Sequence, residues 1–182
     1  MLSKKRVVIT IASALIGSPL MAADNPASHL HGQANLQLAF NDNRVDLLFE
    51  SPAGNLLGFE HEPRTTEQQQ TLDRVTSWLK ATPLINTSES TCTVEAANVQ
   101  RLGHDDGHAH AHTHTHGEEE HHADIEVTQV LVCSGLKQAA SLVTPISTRF
   151  SGVEHLNIEW VGPDGQGATR LESGDQLFKL GR

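Results

Sequence analysis

Apolar residues recur at every second position from Ala34 through Leu36 and Leu38 to Phe40, the period of a strand with one buried face. The run Asn41-Asp42-Asn43 is rich in turn formers, and Arg44 to Glu50 completes a predicted hairpin. Ser51-Pro52-Ala53-Gly54-Asn55 breaks the pattern, and beyond Pro63 the period changes. Leu72, Val75 and Leu79 form an apolar stripe that predicts a helix from about Thr66 to Ala81, with Thr66 and Gln69 at capping-box spacing and Pro83 as the stop. Longer strands are predicted from Thr91 to Leu102 and from Ala123 to Cys133. If these two pair with Cys92 opposite Cys133, Val94 faces Leu131 and Gln100 faces Ile125. Leu136 to Phe150, interrupted by Pro145, predicts a short helix and a less regular turn. Val153 to Val161 alternates again, with Leu156, Ile158 and Trp160 on the side to be buried. Short strands are expected at Ala168 to Leu171 and Gln176 to Leu180, after the turn Pro163-Asp164-Gly165-Gln166-Gly167. The simplest packing of this order is a single α+β domain, a mainly antiparallel sheet with helices on one face and a long His-rich hairpin loop.

The first residues do not belong to that pattern. Lys4-Lys5-Arg6, the apolar run Val7 to Gly17, Pro19 and the small residues Ala22-Ala23 predict a signal peptide over residues 1–23. The apolar run is too short to span a bilayer, so removal and release to the periplasm are expected. Residues 24–182 are then one domain's worth of chain. The intact chain has a net charge of −9, and loss of the three basic residues leaves 10 basic against 22 acidic, or −12. Such a chain has no affinity for nucleic acid or anionic lipid and attracts cations.

Between the two long strands, His104, His108, His110, His112, His114, His116, His121 and His122 place eight of the chain's 12 histidines within 19 residues. Asp105, Asp106, Glu118, Glu119 and Glu120 lie among them, and no large apolar side chain does. Residues 104–122 cannot bury a core, so a solvated flexible loop is expected. Its chemistry is a dense supply of imidazole, the ligand that suits zinc, nickel and cupric ions. Extended, the alternating histidines from His108 to His116 share one side. As a helix, His108, His112 and His116 share one face and His110 and His114 another. Either form chelates, and at three or four ligands per ion the tract suffices for about two zinc ions. The alternative is a polar spacer that happens to be rich in His.

Cys92 and Cys133 bracket this tract, and the chain has only these two cysteines. In an exported protein an isolated pair is expected as a disulfide, with a zinc-ligating pair as the rival. Both methionines lie in the signal, so the ligands of the exported chain are nitrogen and oxygen. His29 and His31 fall on one side of an extended segment before the first strand, and His61, flanked by Glu60 and Glu62, could join them. On the residues alone, exposed polar side chains remain the alternative for all three. An enzyme is not expected: the chain has no His-Glu-x-x-His, no Gly-x-Ser-x-Gly and no phosphate loop.

The combination of a signal, His29-x-His31-Gly32, Glu50-Ser51-Pro52-Ala53-Gly54-Asn55, Gly58-Phe59-Glu60-His61-x-Pro63, a His-rich loop between two cysteines, and Pro163-Asp164-Gly165-Gln166-Gly167 resembles the ZrgA-type periplasmic zinc-uptake proteins. The resemblance spans nearly all of the exported chain. It implies a Zn(II)-binding protein working beside a periplasmic or membrane component of an ABC-type zinc importer, with His29, His31 and His61 as site residues; Glu60, beside His61 in the chain, is expected to help them. The runner-up is a general divalent-metal buffer or metallochaperone for Ni(II) or Cu(II).

Overall fold

A computed structural model of the chain describes residues 30–103 and 123–180. The elements follow in the order β1 (Gln33–Asn41), β2 (Arg44–Pro52), α1 (Ala53–Leu57), α2 (Thr66–Ala81), β3 (Asn86–Thr87), β4 (Cys92–Gly103), β5 (Ala123–Cys133), β6 (Ser141–Val143), α3 (Ile146–Arg149), β7 (His155–Gly162), β8 (Gly165–Glu172) and β9 (Leu177–Lys179). Six strands form one sheet in the order β4-β5-β2-β1-β7-β8, and β3-β6-β9 form a second. β1 and β7 run parallel, while β1–β2, β2–β5, β4–β5 and β7–β8 run antiparallel. The domain is mainly sheet and mainly antiparallel.

The alternation at Ala34 to Phe40 has the predicted cause. Ala34, Leu36 and Leu38 are buried with Val45, Leu47 and Phe49 of β2, and Leu36 opposes Phe49 while Leu38 opposes Leu47. The same face continues through Ile125, Val127 and Leu131 of β5 and Leu156 and Ile158 of β7, all fully buried. The connecting turn needs only Asp42 and Asn43, with Asp42 at φ +57°, a conformation that Asp tolerates. Gln129 is a polar side chain within the buried face. Gln129 accepts from Leu84 N at 3.1 Å and donates to Leu79 O and Thr82 O at 2.7 and 2.8 Å, satisfying the carbonyls at the C-terminal end of α2. Val75 and Leu79 of α2 are buried, and Trp78 meets Phe150 edge-on at 5.3 Å.

The structure corrects several details. The capping box of α2 is Thr65 and Gln68, one residue before the predicted pair, because Thr65 is the last residue with extended backbone. Its Oγ1 accepts from Gln68 N at 3.2 Å, and Gln68 Oε1 accepts from Thr65 N at 3.3 Å. The break after β2 is the short helix α1. The segment 136–150 contains a 3₁₀ turn, β6 and α3 rather than one helix and a turn. In the long hairpin Cys92 opposes Cys133 and Val94 opposes Leu131, but a bulge between Val94 and Ala96 shifts the register, so Gln100 opposes Glu126 and Arg101 opposes Ile125. One extra residue turns every later side chain of β4 to the other face.

The second face of the large sheet carries a polar row. Gln100, Glu126, Glu50, Asn35 and Asn157 oppose one another in a row across five strands. Burial, then the neighbouring carboxylates of Glu126 and Asp124, raise the pKa of Glu50 above its usual range. A carboxyl whose folded pKa lies above its unfolded one opposes folding when ionised, and the penalty is relieved as the pH falls through the folded pKa. Glu50→Gln should therefore raise the Tm by about 1–2 °C at pH 7.5 and leave it unchanged near pH 4. Thermal unfolding followed by circular dichroism at both pH values checks this; an equal gain at both would trace the effect to packing instead of charge.

Candidate metal centre

The segment that carries His31 is locked from two sides. Gly32 has φ +81°, and its N–H donates to Asn55 Oδ1 at 2.9 Å. Its carbonyl accepts from both Glu154 N and His155 N at 2.8 Å, which ties it to the start of β7. Asn55 lies in α1, is 7% exposed, and donates through Nδ2 to Gln33 O at 2.8 Å and Ser51 Oγ at 3.2 Å. It thus satisfies an amide and a carbonyl of the turn into β1. Gly152 backs it so closely that a Cβ there would lie 2.4 Å from Asn55 O.

The second half of the site follows from the end of α1. Gly58, at φ +83°, closes that helix with a hydrogen bond to Gly54 O at 2.9 Å. The chain then carries Glu60 back over α1, where a Cβ at Gly54 would lie 3.0 Å from Glu60 Oε1. The same oxygen is 3.5 Å from His31 Nδ1, with His31 68% and Glu60 15% exposed. One residue on, His61 stacks against Phe59 with ring centroids 5.4 Å apart. Its Nδ1 lies 2.8 Å from Glu62 O. A carbonyl only accepts, so Nδ1 carries the proton and Nε2 keeps the lone pair a metal needs. Arg101 of β4 donates to Glu60 O and to the Glu62 carboxylate.

The structure therefore brings His31 and Glu60 together and sets His61 beside Glu60 in the chain. Among the described residues, no three His, Cys, Asp or Glu side chains form a group that could hold a metal ion, so His61 does not complete such a group with the other two. His29, His104, His108, His110, His112, His114, His116, His121 and His122 lie outside the described residues, as do residues 1–23. The tract's two ends are described: Gly103 opposes Ala123 at the end of the β4–β5 hairpin, two residues from Arg101. Cys92 and Cys133 form a disulfide with an S–S distance of 2.04 Å, so neither serves zinc. His155 pairs with Glu172 across β7–β8, its Nδ1 2.7 Å from Glu172 Oε2. Asn55 and Arg101 are the site-building residues that sequence reasoning missed. The one available signal for Arg101 was its being the only basic residue between Thr91 and Gly103.

Comparison with known proteins places the chain among zinc uptake proteins. The model of the ZrgA family zinc uptake protein matches residues 28–180, and the chain belongs to that family. No curated protein matches it. Among the described residues, no helix is long and apolar enough to cross a membrane.

Proposed function

We propose that the protein is a periplasmic Zn(II)-binding protein that captures the ion through histidines and assists high-affinity uptake by an ABC-type zinc importer. Its family supports the zinc role. The observation that carries the histidine assignment is the His31–Glu60 pair, with His31 next to a turn bonded to the buried Asn55 on one side and to the start of β7 on the other. Preorganised ligands bind more tightly than a segment that must lose chain entropy on ordering. On this reading the His31–Glu60 pair, joined by His29 and His61 on binding zinc, makes the high-affinity site, and the tract 104–122 is the weaker, higher-capacity one. Capture and delivery, not catalysis, is the role that such a pair of sites serves, because a hydrolytic zinc needs a fixed open coordination position.

Titrating chain 24–182 with zinc, nickel and cupric ions by calorimetry tests this. Two classes of zinc site are expected, the tighter one holding about one ion. His31→Ala, Glu60→Gln and His61→Ala should each weaken the tight phase, and replacing the eight tract histidines by Asn should remove the weak one. If the triple His29/His31/His61→Ala variant keeps the tight phase, the folded-site assignment is wrong. Tighter binding of nickel or cupric ion than their general preference for imidazole dictates would shift the cargo away from zinc.

A further inference from the structure

We infer that Arg101 is a positioning residue for the zinc site, a reading that rests on the assignment of Glu60 and His61 proposed above. Arg101 reaches the segment that carries them, at Glu60 O and the Glu62 carboxylate, only because of the bulge in β4. With unbroken pairing from Val94 and Leu131, Gln100 would oppose Ile125; the extra residue places Arg101 there instead, on the buried face of the sheet. Its side chain is 15% exposed, and its guanidinium spans Glu60 O and the Glu62 carboxylate, on a segment about 40 residues away in the chain. The planar fork fits two acceptors at once, which a lysine ammonium does less well. It bonds the backbone carbonyl just before His61 and the side-chain carboxylate just after it. The Glu60 carboxylate is left over Gly54, where it meets His31.

Arg101 is poorly explained as a stabiliser. Its Nε is buried with no hydrogen-bond partner among the described residues, and the Glu62 carboxylate it pairs with is 84% exposed. Replacing Arg101 leaves the exposed Glu62 carboxylate in water, so the large cost of stranding a buried partner charge does not arise. Partners that orient metal ligands, in contrast, set metal affinity over about 10–100-fold. The two roles separate cleanly in a measurement of affinity beside Tm.

The test uses chain 24–182 with the eight histidines of the tract changed to Asn, so that only the folded site is read. Zinc affinity is measured by competition with a chromophoric chelator, Co(II) coordination by its visible absorption bands, and stability by thermal unfolding. Arg101→Met should weaken zinc binding by about 10–100-fold and alter the Co(II) bands while the Tm moves by a few degrees at most. Arg101→Lys should fall between Met and the parent. Arg44→Met, which removes another arginine–carboxylate pair of the same sheet, with Glu95, should leave zinc binding unchanged. If Arg101→Met does not fold, Glu62→Gln, at an exposed position, should still weaken zinc binding in the same direction. The inference is overturned if Arg101→Met, or in its place Glu62→Gln, binds zinc within about twofold of the parent while His31→Ala and Glu60→Gln weaken binding by about tenfold or more. If those two ligand variants also bind normally, the folded-site assignment itself fails and takes the role of Arg101 with it.

Discussion

Zinc affinity should fall by about four orders of magnitude between pH 7.5 and pH 5, because imidazole binds metal only when unprotonated and its ordinary pKa is about 6.5. At pH 5 a free imidazole lies about 1.5 units below that value, so a proton competes with zinc at roughly 2 kcal/mol per ligand. Three such ligands give about 6 kcal/mol. The sign is fixed by the chemistry: lowering the pH adds protons to the free site and not to the loaded one, so binding weakens throughout the window. A site of carboxylates would scarcely respond, since carboxyl groups titrate near pH 4. Competition titrations at pH 7.5, 6.5 and 5.5 in buffers that do not bind zinc should show about a thousandfold loss at the lowest of these. A change below tenfold would rule out a three-histidine site and move the assignment to Asp105, Asp106, Glu118, Glu119 and Glu120.

The strands with one buried face were legible because their cause is local. Ala34 to Phe40 and Ala123 to Cys133 each expose one side and bury the other, and period-2 alternation records that directly. Of the second sheet only β9 was legible, within the short strand expected at Gln176 to Leu180. β3, β6 and β9 are two or three residues long, too short for a period to appear. α1 was hidden by its composition, since Pro52, Gly54 and Asn55 are turn formers wherever tertiary contacts do not overrule them, and here Asn55 is held by Gly32, Gln33 and Ser51. The parallel pairing of β1 with β7 joins residues more than 100 positions apart, which alternation cannot encode.

The candidate site divides in the same way. His31, Glu60 and His61 could be nominated from residue type and from short motifs, since imidazole and carboxylate are ligand chemistry wherever they stand. What brings Glu60 to His31 could not, because it depends on the closing turn at Gly58 and on open space above Gly54. Arg101 is the sharpest case. Its position on the buried face results from a bulge between Val94 and Ala96. Nothing in Glu95 or Ala96 as residues announces a bulge, so strict alternation placed Gln100 opposite Ile125 and sent Arg101 to the wrong face.

Loss of the Cys92–Cys133 disulfide should lower the Tm by about 8–16 °C with zinc affinity nearly unchanged. The two cysteines are 41 positions apart, and on the chain-entropy model a closure of that length contributes roughly 4 kcal/mol by restricting the unfolded chain. For a domain of this size each kcal/mol moves the midpoint by about 2–4 °C. The folded state adds to the loss only through the small void left by the two buried Sγ atoms, beside Val94 and Leu131. The bond also sits at the far end of the hairpin from the tract. From Cys92 to Gly103 the strand has 12 residues and spans about 35 Å at strand rise, so the Gly103–Ala123 pair and Arg101 are held by the ladder and by Glu60 and Glu62, not by the disulfide. The Cys92→Ala/Cys133→Ala variant, melted beside the parent with and without reductant, checks the first half, and zinc competition titration checks the second. A Tm change under about 3 °C would mean that the unfolded chain is already restricted in this region. A large loss of zinc affinity in a variant still folded at the assay temperature would mean that the two ends of the hairpin are coupled through the ladder.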